Sequence, residues 1–502
     1  MILSKSIVFT GLIIACVNAT DDKILRFPLR QRSHSKPYLQ KRDGNNVSLY
    51  NANGKEYLIE VGVGTPPQYF NLTMDTGSAD FWVPSSSCPV SMCPHTRFDN
   101  KKSTTFKALS NEKLSIEYGV GTAKGSYALD TITLGESGIS LPNHTIGLVS
   151  NTDNILSASE DDTMPSNGIL GMGHPSLSMK SGKKPGHLVM GLYQANIISE
   201  PIFSIFLNTQ SAYGKTGELV LGGLDSTKYT DDIQYVPIVS FDVSKYYVSA
   251  NLGANKTSTT NGSQETYLYW SVPGQGVSTS SNYSYSTPDL QAFILDTGTT
   301  LTYVPESIAK SIVMSLTNNA KTTKWDALEG IYRVSCSLAE KSDLFVEFLI
   351  SPSETVKSTT PMTIRVPVSE LVIPLDDART PETSTSCMFG IAPAPKGLEL
   401  TSGDTWILGE STLRSLYTVY DLKQNRFGMA KLATAVNSSS ATSNATIATT
   451  TTNSDIISNS MTGTPLAQSD TPPTAISNGM ILKPSFIFLA KLFTLYFIFY
   501  DL

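Results

Sequence analysis

The chain has 502 residues, a formal net charge of −6 and a pI near 5.5, a balance that argues against a nucleic-acid partner. Such a length holds two or three domains with ample core, and the low charged fraction of 16% beside plentiful Ser, Thr and Asn fits a secreted β-rich protein better than a cytosolic helical one. The five histidines, His34, His95, His144, His174 and His187, are scattered, and neither a His-Glu-x-x-His pair nor a Gly-x-Ser-x-Gly elbow occurs; metallohydrolase and serine-hydrolase chemistry lack their residues, and no metal site or cofactor is expected.

Residues 1–19 carry Lys5, an apolar run from Ile7 to Val17 and small residues at Val17-Asn18-Ala19, the pattern of a cleaved signal peptide, with a signal anchor as the alternative. Residues 20–42 are basic, with Lys23, Arg26, Arg30, Arg32 and Lys36, and close on the pair Lys41-Arg42. A solvated linker has this composition too; a propeptide removed at Lys41-Arg42 also explains the dibasic stop, and its positive charge would lie over an acidic site until cleavage. Glu56 to Gln68 alternates like a strand and turns at Gly64-Thr65-Pro66-Pro67. The apolar run Phe70 to Met74 then delivers Asp75-Thr76-Gly77-Ser78, followed by Phe81-Trp82-Val83-Pro84 and by Cys88 and Cys93. Leu114 to Gly125 reads as a hairpin punctuated at Tyr118-Gly119-Val120-Gly121. Ile169-Leu170-Gly171 is an apolar strand with a turn.

Asn255 to Thr287 is rich in Ser, Thr, Asn and Tyr with little apolar periodicity, and is expected to be an insertion or long surface loop. Phe293-Ile294-Leu295 leads into Asp296-Thr297-Gly298-Thr299 and, after it, Val304-Pro305. Ile308, Ile312 and Leu316 fall at four-residue spacing and predict a helix over Glu306 to Leu316. Ile407-Leu408-Gly409 repeats the earlier Ile-Leu-Gly. Strand-like runs such as Gly217 to Gly223 and Leu416 to Tyr420 fill the rest, so the fold is expected to be mostly β. Glycosylation sequons stand at Asn46, Asn143, Asn255, Asn261, Asn282, Asn437 and Asn444; a further one at Asn71 lies four residues before Asp75, which disfavours its use. Residues 434–478, dominated by Ser, Thr, Ala and Asn, cannot bury a core and read as an O-glycosylated stalk. Small residues at Ser477-Asn478-Gly479, a brief spacer and the apolar tail Phe486 to Tyr500 match a GPI-attachment signal over 479–502, with Ser477 and Asn478 as attachment sites and a tail anchor as the alternative. Cys16 would leave with the signal peptide, and the remaining Cys88, Cys93, Cys336 and Cys387 allow three disulfide connectivities.

A single Asp-Thr-Gly after a strand is ordinarily a turn. Here two copies, each followed by Val-Pro at the same distance, stand 221 positions apart (296 minus 75, and 305 minus 84), which makes an internal repeat. If the halves pack about a pseudo-two-fold axis, Asp75 and Asp296 meet at the seam. Two carboxylates in contact cannot both ionise cheaply, so they share a proton and one serves as base while the other serves as acid, the logic of the aspartic-protease dyad. On these motifs the stretch from about residue 50 to 433 resembles a pepsin-type aspartic endopeptidase of the secretory pathway.

The resemblance implies a bilobal pepsin-like fold of two β-barrel-like lobes around a central cleft, with residues 43–235 and 236–433 as the lobes. It implies Asp75 and Asp296 as the pair that activates water, Thr76, Gly77, Thr297 and Gly298 as support of the two loops, and Ser78 and Thr299 as hydrogen-bond partners of the carboxylates. The hairpin becomes a flap, with Tyr118 against Trp82 and backbone near Gly119 and Val120 meeting an extended peptide. The Ile-Leu-Gly segments brace the loops, although Glu410 stands where many members have Asp. The family's disulfide pattern is the local pairing, Cys88 with Cys93 and Cys336 with Cys387. Lys36 is the nearest match to the prosegment lysine that caps the aspartates. Anchor, stalk and dibasic propeptide resemble fungal yapsin-like, GPI-linked members, which implies a monomeric, cell-surface protease acting on proteins or peptides; Val120, where some Lys-accepting relatives carry Asp, tilts the expected preference towards hydrophobic residues. A pepsin-fold surface protein that binds without hydrolysing is the competing class.

Overall fold

The computed structural model describes residues 24–28, 30–31, 49–51, 57–118, 121–153, 155–156, 166–179, 186–210, 217–242, 265–376, 378, 380–395 and 406–433. Lys36, Lys41, Arg42, Asn46, Gly119, Val120, Asn255, Asn261, Asn437, Asn444, Ser477 and Asn478 lie outside them, as do the signal, stalk and tail segments. Every described residue belongs to one compact unit, within Met1–Ala433.

The described chain is mostly β and built in two halves. The N-terminal half rests on a nine-stranded sheet in which Tyr57–Val63 pairs antiparallel with Gln68–Asp75, Ile59 facing Leu72. The turn between them uses Gly64 at φ +93°, a conformation that side chains beyond glycine rarely adopt. The C-terminal half holds a seven-stranded sheet and a separate four-stranded one. A six-stranded sheet takes strands from both ends of the unit: Leu25–Pro28, Gly217–Leu221, Ile202–Leu207, Leu416–Asp421, Arg426–Leu432 and Tyr229–Pro237. The expected lobe boundary at 235/236 therefore falls inside a strand, Tyr229–Pro237, that is paired to Arg426–Leu432.

The two halves repeat the same local pairing. Ile169–Gly171 lies parallel to the strand ending at Asp75, with Gly171 opposite Asp75, and antiparallel to Phe81–Pro84. Trp406–Leu408 lies parallel to the strand ending at Leu295 and antiparallel to Thr302–Val304. Each Asp is thus delivered by one buried strand and clasped by another. One apolar cluster runs through both halves, joining Val61, Leu72 and Met74 to Phe293, Leu295 and Trp406. The predicted helix is present as Glu306–Leu316, with Ile308, Ala309, Ile312, Val313 and Leu316 buried on one face.

One expectation is overturned. The surface loop read over Asn255 to Thr287 contains the strand Ser271–Thr279, paired with Ser284–Leu295 on one side and Phe345–Ile350 on the other. Nearly all of it is buried, yet it fills its space with Ser, Gly, Gln and Thr; a Cβ on Gly274 would sit 2.2 Å from the Phe293 ring. A central strand packed against large aromatics needs small residues, and their polarity imitates a loop. Asn282, in the turn at φ +63°, is exposed, as is Asn143 at φ +52°, whereas Asn71 is half-buried within its strand. Of the three connectivities, the chain forms Cys88–Cys93 and Cys336–Cys387, with Cα separations of 6.0 and 5.3 Å.

Candidate active site

Asp75 ends its strand 5% exposed, and Asp296 sits half-buried across the seam. Each carboxylate is held by its own turn. Gly77 N–H donates to Asp75 Oδ1 at 2.8 Å and Ser78 Oγ donates to Oδ2; Gly298 N–H donates to Asp296 Oδ1 at 2.8 Å and Thr299 Oγ1 to Oδ2 at 2.5 Å. The two turns are then tied to each other. Thr76 Oγ1 donates to Leu295 O and Thr297 Oγ1 to Met74 O, both at 2.8 Å, while Thr297 N–H donates to Thr76 Oγ1 at 2.9 Å and Thr76 N–H to Thr297 Oγ1 at 3.1 Å. The last two bonds join residues 221 apart, the spacing of the sequence repeat. Each threonine hydroxyl donates once and accepts once, so four buried backbone groups are satisfied by two side chains.

The glycines have a second reason beyond the tight turn. A Cβ on Gly77 would lie 2.6 Å from the Asp296 carboxyl, and one on Gly298 would lie 2.4 Å from Asp75 Oδ1. The motif's third residue in each half is the floor for the other half's carboxylate, which brings the two acids within hydrogen-bonding reach. Burial, reinforced by the negative charge of Asp296, pushes the Asp75 carboxyl well above the usual carboxylate range. Such a pair holds one proton where isolated carboxylates would hold none.

The Ile-Leu-Gly segments close the turns from behind. Met172 N–H donates to Asp75 O at 2.7 Å and Gly173 N–H to Ser78 O at 2.7 Å; in the other half Asp296 N–H donates to Leu408 O at 3.1 Å and Glu410 N–H to Thr299 O at 2.8 Å. Glu410 therefore braces its loop through the backbone, and its side chain, fully buried, turns instead to Arg414 at 3.9 Å. Trp270 Nε1 donates to Met172 O at 2.9 Å, linking the C-terminal half to the first brace.

Over the first turn stands the hairpin of Lys107–Tyr118 and Gly121–Leu134. Tyr118 Oη accepts from Trp82 Nε1 at 2.8 Å, and both rings join an apolar cluster with Leu114, Ile116, Tyr127, Ile155, Leu156 and Met179. Burial and the neighbouring Asp75 raise the Tyr118 phenol above its ordinary value, so it remains a neutral hydroxyl. Sequence reasoning passed over Asp80, buried five residues after Asp75; an acid between the apolar Ala79 and Phe81 in a strand-forming run was the available signal.

A model of the eukaryotic aspartyl protease family matches residues 56–432. Among curated proteins the chain is similar to mucorpepsin of Rhizomucor pusillus, 29% identical over 463 residues (86% of this chain, 97% of the relative), and to mucorpepsin of Rhizomucor miehei, 31% identical over 412 residues (80% and 84%). Gastricsin of Cavia porcellus is 31% identical over 388 residues, 75% of this chain and 81% of the relative. Two Asp-Thr-Gly turns cross-bonded at the seam of a two-halved β fold and a family match spanning most of the chain lead to one conclusion: this chain belongs to the eukaryotic aspartyl protease family and is a pepsin-type aspartic endopeptidase.

Proposed function

We propose that the chain hydrolyses peptide bonds with a water held between Asp75 and Asp296, and that it does so as a zymogen-derived enzyme tethered at the cell surface. The observation that carries the catalytic part is the cross-bonded pair of turns, which fixes two acids against each other and raises the Asp75 carboxyl. The ionised member takes a proton from the water as its oxygen attacks the scissile carbonyl; the protonated member gives its proton to the carbonyl oxygen. The resulting gem-diol collapses when a proton passes to the amine nitrogen and the C–N bond breaks, returning the pair to one shared proton. Thr76 and Thr297 keep the turns in register, and Ser78 and Thr299 orient the outer carboxylate oxygens.

A mild preference for hydrophobic residues at the cut is supported by the partly exposed Tyr118, Leu156 and Met179, which pack on the apolar cluster of Trp82 under the hairpin, and by Val120 in the sequence. Surface anchoring rests on the stalk and tail composition, propeptide removal on Lys41-Arg42, and glycosylation on the exposed Asn143, within a strand, and the exposed Asn282, in a turn. The test is cleavage of a denatured protein at acid pH by the processed ectodomain, with and without pepstatin. Cleavage blocked by the inhibitor and absent from Asp296→Asn is the expected result; a folded, correctly processed ectodomain inactive from acid to neutral pH would leave a binding protein. Release from cells by phosphatidylinositol-specific phospholipase C tests the anchor, and resistance despite surface exposure would make it a tail anchor.

A further inference from the structure

Asp80 opens the strand run that follows the first catalytic turn and is 4% exposed. Three donors from two other segments meet its carboxyl: Tyr127 Oη and Ser178 Oγ reach Oδ1, and Met179 N–H reaches Oδ2, each at 2.8 Å. Its own carbonyl accepts Gly171 N–H at 3.2 Å, from the brace behind Asp75. Tyr127 belongs to the return strand of the hairpin whose outgoing strand ends at Tyr118, and Met179 packs on the apolar cluster that contains Trp82. One side chain therefore joins the catalytic turn, the hairpin above it and the wall beside it.

Satisfying buried donors would not require an acid. An amide at this position could accept from Met179 N–H and exchange hydrogen bonds with the two hydroxyls, and it would never titrate. A carboxyl makes the junction depend on pH. Among the described residues no cation lies within ion-pair distance of it. The titratable groups that face it are Tyr127 and Tyr118, with Asp75 and Glu112 beyond them, none of which offers positive charge. We propose that Asp80 is a positioning residue that couples the hairpin and the Met179 wall to the catalytic turn, holding that surface most firmly in acid and loosening it towards neutrality.

The physical basis is the absence of compensation. Burial raises the carboxyl above its ordinary range against the pull of its three donors. While it is neutral, its proton sits on Oδ1 and goes to one of the two hydroxyls, the other hydroxyl donates to that same oxygen, and Oδ2 accepts Met179 N–H, so no charge is buried. Once ionised it is a buried charge with donors but no described counter-ion. With the folded value above the unfolded one, the stabilising contribution is present in acid and is lost as pH rises through the folded value. The kinetic part of this inference rests on the proposed peptidase reading; the stability part does not.

The experiment compares the processed wild-type protein with Asp80→Asn, Asp80→Ala, Tyr127→Phe and Ser178→Ala by melting temperature across pH and by steady-state cleavage of a peptide. Asp80→Asn is expected to match the wild type in acid and to melt about 1 °C higher at neutral pH, as about 1 kcal/mol gives in a unit of this size. Tyr127→Phe is expected to raise KM about tenfold with kcat changed far less, the signature of lost positioning. An Asp80→Asn melting profile parallel to the wild type at every pH would overturn the ionisation, and unchanged KM in both Tyr127→Phe and Ser178→Ala would overturn the coupling, even if Asp80→Ala does not fold. A wild type that cleaves nothing would instead sink the peptidase reading, with the melting comparison still deciding the state of Asp80.

Discussion

The two catalytic turns are nearly interchangeable at the seam and unlike behind it. At the seam, the threonine hydroxyls both donate at 2.8 Å and both first glycine N–H groups reach their carboxylate at 2.8 Å. Behind Asp75 the brace runs on into Met172 and Gly173, the buried Asp80, and the histidines His144, His174 and His187, each of which burial holds below its ordinary value. Behind Asp296 it runs on into Glu410, and a buried Arg414 sits 3.3 Å from Glu370 and 3.9 Å from Glu410. The symmetric part is where the proposed chemistry needs the two halves to present matched acids. The asymmetric part is where each half solves its own packing, with buried imidazoles and a lone acid in one half and an ionic cluster in the other.

That contrast can be broken in stages. The largest effect belongs to the acids themselves: Asp75→Asn and Asp296→Asn should each lower kcat by roughly 10²–10⁴-fold, with the fold retained by circular dichroism, because each removes one proton-transfer partner. Arg414→Met leaves Glu370 and Glu410 buried without their cation and should cost about 3–5 kcal/mol in urea unfolding. Loss comparable to a surface substitution would show that the ionic cluster is water-filled. Thr76→Val strands Thr297 N–H and Leu295 O, so about 2–4 kcal/mol should be lost, whereas Thr76→Ser, which keeps the hydroxyl, should cost less than about 1 kcal/mol. Matching values for Thr297→Val and Thr297→Ser would establish that the grip is symmetric in energy as it is in geometry.

The part of this molecule that was legible in the sequence is the symmetric part. Asp75 and Asp296 announced themselves through a repeat, and the helix at Glu306–Leu316 through its four-residue spacing. Composition misled over Ser271–Thr279, where small polar residues are buried because Phe293 and its neighbours fill the space. The groups behind the turns were silent for a different reason. Asp80 and His187 have partners far away in the chain, and a lone acid or imidazole carries no spacing from which burial can be read, while the four-residue spacing of Glu410 and Arg414 is equally the pattern of a solvated helix face.

The sharpest test of the asymmetry is the response to acid. Burial holds His144 down to about 4, and burial with the neighbouring His174 and His144 holds His187 down to about 3, both below the ordinary 6.5. The unfolded chain therefore takes up protons first as pH falls through 6.5, while the folded chain refuses them until its own lower values are reached. Their stabilising contribution is intact above 6.5 and is lost between there and about 4 or 3, at up to about 1.4 kcal/mol per pH unit for each histidine. All five histidines of the chain precede residue 188, so this loss arises entirely in the N-terminal half. His144→Gln should cost stability at neutral pH yet flatten the decline between pH 6.5 and 4 by about one proton's worth in urea titrations, and His187→Gln should do the same to a lower limit. The acid loss from these imidazoles opposes the neutral-pH loss assigned to Asp80, so removing both kinds of group should broaden the pH range of stability on both sides. An unchanged acid slope in the two histidine variants would mean that the imidazoles protonate without unfolding, and the difference between the halves would then be one of packing alone.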